Sequence, residues 1–363
     1  MGNEFKKVLA AAFKKVQKPL GYFANLYEEE LLDGIEVEIQ GRDVKATYSV
    51  DTQLGTGGRR HEFSQFDSAT YTVPEYNDFV DISERDVYKQ QFGETIYAKT
   101  LANSAKYIAD RQAFLSDMQT RAENKQAIEA LLNGKVILAN GNKIEFRKKA
   151  SHDLNLTSKK WDAVSSGKSV NDPLAEIEKA CQLIIDDGKV GTSEFNLTLS
   201  GKTANALLTN TYFVENSKFN NNINRSQIGI PVEKTPGAFF HGQFAAGSYI
   251  VNLFTCNEKY EVPTGYNFAD EGTTKYYLPE GRGLLLPVNV EFKKYYGSIN
   301  PINFAPANDI IIPDLTPVKT RQYPYAYRVV TNGSSVVQAG VKSRPLYVPV
   351  NIDSAVTFSN LVS

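Results

Sequence analysis

The sequence predicts an α+β fold. A helical pattern runs without proline across residues 94–133. Two alternating apolar–polar runs sit in 35–82, as half-exposed strands do. After residue 291 the chain is strand-rich and punctuated by prolines. With 363 residues it is long enough for two or three domains and a sizeable core. Apolar residues make up 42% and charged residues 22%, which excludes a disordered or collagen-like chain. Forty basic residues against 41 acidic ones leave a net charge of −1, so a dedicated duplex-DNA binder is not expected. No apolar run approaches the ~18 residues of a membrane span. The Lys-rich N-terminus has no apolar signal core, so neither membrane insertion nor secretion is expected. Two cysteines cannot form a disulfide framework.

Residues 3–20 read as an amphipathic helix. Phe5, Leu9, Ala12, Phe13, Val16 and Leu20 recur at three- and four-residue steps, and five lysines fill much of the remainder. Pro19 and Gly21 end it. The stripe predicts an arm docked on protein; a helix lying on a membrane surface is the alternative. Residues 35–82 read as two long strands joined by a glycine-rich tip, LGTGGRRHEF (54–63). Large aliphatics are scarce between Val50 and Val73, so the ribbon cannot bury a core of its own. A lone two-stranded ribbon is marginal in water, so this one needs a partner surface.

The helix of 94–133 would span roughly 55–60 Å, with Asn133-Gly134 as its stop. KVILANGNKIEF (135–146) reads as a hairpin turned at Asn140-Gly141. Residues 147–172 are polar and read as loop, with the only tryptophan, Trp161. Asp172 and Pro173 open a capped helix that runs to 187. A strand at 195–200, a short helix at 201–210, an Asn-rich loop at 214–237 and strands at 247–260 and 276–289 follow. The last strands are expected at 327–331 and 345–352.

A search for chemistry yields little. SSGKS (165–169) ends like a phosphate loop, but Asp162 stands where its first glycine belongs. GTGG (55–58) beside Arg59 and Arg60 reads as a flexible tip, or as arginines that meet carboxylates on a neighbouring subunit. His61, His152 and His241 are scattered, without metal-ligand spacing. Cys181 falls on an apolar helix face, and Cys256 reads as core or partly buried. Asp78, Asp81, Glu84 and Asp86 match no calcium loop. The tyrosines at 295–296 and 323–327 suit sheet packing or a subunit interface. No catalytic, cofactor or metal site is expected.

Arm, unsupported ribbon, very long helix, mixed domain and closing strands follow one another in an order that resembles the tailed-phage major capsid proteins of the Hong Kong 97-type fold. More narrowly, the chain resembles the lambda-type E major head protein family. Local matches are LLNGK (131–135) at the end of the long helix, NDPLAEIEKA (171–180) and YLPEGRGLLL (277–286). The Asn-rich 214–237 and Pro-rich 301–324 segments have no counterpart in the resemblance.

The resemblance implies an N-terminal arm at 1–34 and an extended loop at 35–82. A peripheral domain follows at 83–170, with spine helix 94–133 and hairpin 135–146. An axial domain at 171–290 and a return to the peripheral domain at 291–363 complete it. It implies a structural subunit that forms pentamers and hexamers, then a procapsid and a mature shell around packaged double-stranded DNA. The virion would be its place, after assembly in the host cytoplasm. A separate scaffolding protein, a portal and a decoration protein are the implied partners, with no membrane. Inter-subunit contacts would fall on Phe5, Leu9 and Phe13 of the arm, and on Gly57, Gly58, Arg59, Arg60, Phe63, Tyr71 and Pro74 of the loop. Near-neutral charge suits a shell that encloses DNA without gripping it. An encapsulin-like cargo shell is the alternative; a ligand- or carbohydrate-binding protein, or another phage structural protein, fits less well.

Overall fold

The computed structural model describes residues 20–42, 66–83, 101–138, 141–218, 226–265, 270–299, 325–330 and 336–363. The predicted arm helix and ribbon tip lie outside them.

The chain enters through a short 3-10 turn, Ala24–Leu26, and strand β1, Tyr27–Leu31. β2 (Glu36–Arg42) and β3 (Phe66–Thr72) form the ribbon, with Glu36 opposite Thr72 and Arg42 opposite Phe66. Val37 is buried while Glu36, Glu38, Thr70 and Thr72 are exposed, as the two-residue period requires. β4 follows at Tyr76–Ser83.

Helix α1 is described from Leu101 to Asn133, about 50 Å of axis. Residues 94–100 of the predicted helix lie outside the described set. Its last turns are buried through Ala127, Ile128, Ala130 and Leu131, whereas Phe114 and Met118 further up are exposed. Two features stop it. Gly134 takes φ +63°, and a Cβ there would meet Lys148 at 2.6 Å. The Lys148 Nζ then donates to the carbonyls of Leu131 (3.1 Å) and Leu132 (3.4 Å), and to Thr357 Oγ1 at 2.7 Å. The expected hairpin is β5 (Lys135–Ile137) with β6 (Lys143–Glu145).

Residues 147–172 are more ordered than a polar loop. They hold β7 (Asp153–Asn155) and the small ribbon β8 (Val164–Ser165) with β9 (Lys168–Ser169). Ser166 and Gly167 have φ +52° and +79°, so SSGKS is a two-residue hairpin turn rather than a phosphate cradle. Trp161 is 1% exposed and packs on Phe358 at 6.0 Å.

Helix α2 (Pro173–Gly188) begins as expected: the Asp172 carboxylate accepts from the Leu174 N–H at 2.9 Å. β10 (Glu194–Leu199), α3 (Gly201–Thr209) and α4 (Thr211–Lys218) follow. β11 (Ser226–Thr235) lies in the stretch read as an Asn-rich loop; the asparagines end at 224 and an alternating IGIPVEKT begins. It turns at Gly237, φ +84°, into β12 (Ala238–Ala246), and β13 follows at Tyr249–Thr255. β14 (Lys259–Glu261) and β15 (Thr274–Tyr276) make a hairpin. The remaining strands are β16 (Gly283–Pro287), β17 (Phe292–Tyr296), β18 (Tyr325–Val330), β19 (Val336–Ser343), β20 (Pro345–Val348) and β21 (Val356–Ser359).

A seven-stranded sheet runs β11-β12-β13-β10-β16-β21-β7; two three-stranded sheets run β1-β17-β20 and β18-β19-β4. The stretch 291–363 is therefore shared out, and its last strand lies in the large sheet. β16 is buried at every residue because both sheet faces are covered. Leu285 packs into a core with Ile177, Ile184 and Phe195 beneath α2. Leu284 and Leu286 pack oppositely with Phe23, Ile128 and Leu131 of the chain entry and α1. A third core joins Val37 and Val73 to Val136, Ile144 and Phe146, so the root of the ribbon rests on the β5–β6 hairpin.

Candidate assembly surface

The root of the ribbon is built for stiffness. Alternation turns Tyr71 inward, where its ring meets Phe146 at 5.6 Å and its hydroxyl donates to the Glu145 carbonyl at 3.2 Å. Burial raises that hydroxyl's pKa. Pro74 bridges β3 and β4, next to a Val73 N–H that donates to the Ile35 carbonyl at 2.9 Å. Beside it, Glu75 is clamped. Arg344 donates to its Oε2 through Nε (2.7 Å) and Nη2 (2.5 Å), and Lys342 meets Oε1 at 2.8 Å. Partial burial opposes ionisation, but the hydrogen bonds from Lys342 and Arg344 outweigh it and hold the carboxyl below its usual range. Arg344 Nη1 also donates to the Ser298 carbonyl at 2.7 Å, and the Ser298 N–H to Gly34 at 3.0 Å. The Arg344 guanidinium thus links Glu75 at one end of the ribbon root to Ser298, whose own N–H holds Gly34 at the other.

Of the expected contact residues, the structure brings Tyr71 and Pro74 together, both half-buried at this root. Phe5, Leu9, Phe13, Gly57, Gly58, Arg59, Arg60 and Phe63 lie outside the described residues. Glu75 and Arg344 were not singled out. Their only sequence signal is a lone acid after Pro74 and the basic KSR of 342–344.

The chain entry is held by α1. Asn124 Oδ1 accepts from the N–H groups of Phe23 (3.0 Å) and Ala24 (3.1 Å), and its Nδ2 donates to Glu258 Oε2 at 3.3 Å. Glu258 Oε1 accepts from the Leu20 N–H at 2.9 Å. The residue before Asn124, Glu123, accepts from Tyr296 (2.7 Å) and Tyr347 (2.8 Å). Burial there pushes the Glu123 carboxyl up despite both hydroxyls. Apolar side chains stand exposed elsewhere: Phe79 on β4, and Ile230 at 87% with Val232 on the edge strand β11.

Groups with chemical potential are turned to structure. Burial pushes the Cys181 and Cys256 thiols up to about 12, the reverse of an activated nucleophile. His152 is buried between the Ala355 carbonyl and Asp187. Among the described residues, no group of three or more His, Cys, Asp or Glu side chains converges as a metal site, and no helix is long and apolar enough to cross a membrane.

The sequence profile of the family described as phage major capsid protein E matches residues 7–360. The chain belongs to the phage major capsid protein E family. This capsid protein is a structural subunit of a phage head and works as one of many copies in that shell. Its fold is that of a protein assigned as the capsid protein of a prophage of Escherichia coli CFT073, with a TM-score of 0.60, 14% identity and 98% of both chains covered. A phage-related protein of Bordetella bronchiseptica RB50 aligns at 11% identity and TM-score 0.49, over 98% of the capsid protein and 96% of that chain. An encapsulin complex of Synechococcus elongatus PCC 7942 aligns at 10% identity and TM-score 0.44, over 98% and 95%. No curated protein matches the sequence of the capsid protein significantly.

Proposed function

We propose that the capsid protein forms hexamers and pentamers, and that residues 35–82 are the extended loop that lies over an adjacent subunit. One observation carries this reading. β2 and β3 pair only with each other, so both outer edges of the ribbon are open among the described residues. Their outward face is polar, with Glu36, Glu38, Thr70 and Thr72 exposed. Such edges are closed by another chain or left as a liability. The Glu75–Arg344 clamp then aims the ribbon, and Gly57, Gly58, Arg59, Arg60 and Phe63 meet the neighbour. The arm, with Phe5, Leu9 and Phe13, docks on protein at the subunit boundary. Residues 83–170 and 171–290 are the peripheral and axial domains, and 291–363 returns to the peripheral domain, except for β7 and β21, which join the large sheet. A separate scaffolding protein, a portal and a decoration protein are the further partners, with assembly in the host cytoplasm. The shell encloses double-stranded DNA without reading its bases, and no catalysis is assigned to it.

Deletion of residues 51–64 tests the reading, by negative-stain microscopy beside light scattering and circular dichroism. The expected result is a folded subunit that closes no shells. Normal shells from the deletion protein would overturn the loop assignment.

A further inference from the structure

His152 has two hydrogen-bond partners, and both are acceptors. Its Nε2 lies 3.0 Å from Asp187 Oδ2, and its Nδ1 lies 3.3 Å from the Ala355 carbonyl. A neutral imidazole carries one N–H, so one of these contacts would set a lone pair against an oxygen. The imidazolium donates to both. Turning the ring over would put carbons at both oxygens and satisfy neither. The residue is 0% exposed, so solvent cannot supply the missing partner.

The surroundings suit a cation. Hydrogen bonds from Lys149 and from the ring hold the Asp187 carboxyl below its usual range, so an acceptor-only carboxylate faces the ring. The charged groups around the ring are Asp187 from α2, Asp353 from the 3-10 turn Ile352–Ser354, and Lys148, Lys149 and Asp153 from its own stretch. With the ring protonated, three cations meet three carboxylates; without that proton, two ammoniums face three. β21 brings no charge; its Thr357 Oγ1 donates to the His152 carbonyl at 3.3 Å. The end of α2 also presses on the turn. A Cβ on Gly188 would meet the Asp353 carbonyl oxygen and the Ser354 Cα at 2.9 Å, and Asn351 Nδ2 donates to the Gly188 carbonyl at 2.8 Å. The ring thus fills a tight seam among residues 149–152, the end of α2 and the turn that leads into β21.

We propose that His152 is a pH-sensitive pin: as imidazolium it ties the end of α2 to the turn before β21, and loss of its proton frees one side of that seam. The sign follows from linkage. Above about pH 6.5 an unfolded chain's histidine is neutral, whereas the folded ring keeps its second proton. The stabilisation is complete below that pH and is lost as pH rises through the folded ring's own titration. Mild acid thereby locks, and alkali frees, the seating of β21 in the large sheet.

The sequence holds three histidines, so imidazole nitrogen NMR of histidine-labelled, unassembled full-length subunits is simple to assign, with His61→Gln and His241→Gln identifying the other two. At about pH 7.5 the His152 ring should show both nitrogens protonated. A neutral ring at that pH would overturn the proposal. Amide exchange, corrected for its intrinsic rate, is the second readout. Between about pH 6 and pH 9, opening at 184–188 and 354–358 should rise about tenfold relative to 195–199. His152→Gln, which keeps one donor, should lack that dependence. Equal pH dependence in wild type and variant, or none in either, would refute the pin even with a protonated ring.

Discussion

Lys148 offers a quantitative test of how helix α1 is closed. Its ammonium caps two helix carbonyls and bonds to Thr357, bridging α1 to the large sheet. Burial lowers its pKa from 10.5 to about 8, with nearby Asp153 and Asp353 opposing the shift and Arg282 adding to it. Below pH 8 both folded and unfolded chains carry the proton, so this group adds no pH dependence. Between pH 8 and 10.5 the unfolded chain binds more protons than the folded one. Folding then releases a proton, and stability rises with pH. The whole window is worth at most about 3.5 kcal/mol, from 2.5 pK units at about 1.4 kcal/mol each. Other lysines and tyrosines titrate in the same range, so the informative quantity is wild type minus Lys148→Met. Urea unfolding of unassembled subunits at pH 7.5, 8.5, 9.5 and 10.5 measures it. The wild type should gain on the variant steadily by a total of about 1–3 kcal/mol. At pH 7.5 the variant should lose little, because removing a costly buried charge offsets the lost hydrogen bonds. A flat difference, or one falling with pH, would refute the account of Lys148 as a desolvated cap.

Arg344→Met should cost about 1–2 kcal/mol, because Glu75 keeps Lys342 and partial solvent. It should also flatten the acid side of the stability profile, since a carboxyl with a lowered pKa loses its contribution as pH falls; unfolding between pH 3 and 6 reads both effects. Leu115→Asp should destabilise the subunit by about 3 kcal/mol or more, by placing an unpaired charge at a position 4% exposed. Phe114→Asp one residue away, at an exposed position, should change unfolding by under about 0.5 kcal/mol, so equal effects would misassign the helix face. Asp172→Ala should cost about 1 kcal/mol through loss of the cap on Leu174, measurable as a shifted urea midpoint.

The parts of the fold legible in the sequence are those set by neighbouring residues. The α2 start shows in Asp172-Pro173, the hairpin after α1 in its alternation, and the ribbon in IEVEIQ. What stayed hidden was set by contacts across long stretches of chain. Trp161 looked like a ring in a polar loop because its partner, Phe358, lies 197 positions away by their numbers. The Glu75–Arg344 clamp joins residues 269 apart. Within the candidate surface, Tyr71 and Pro74 could be noticed as ring and restraint, but not that Tyr71 leans on the hairpin of its own chain. β11 was masked by the asparagines before it, although IGIPVEKT alternates.

The place of β21 has a bearing on timing. It pairs with β16 on one side and with β7, near residue 154, on the other. At ordinary synthesis rates, roughly 10–40 s separate the emergence of β7 from that of β21. Until then β7 has nothing to pair with, and Trp161 lacks the ring that covers it. The large sheet of a nascent capsid protein therefore stays open at its β16 edge until the last residues of the described chain have emerged.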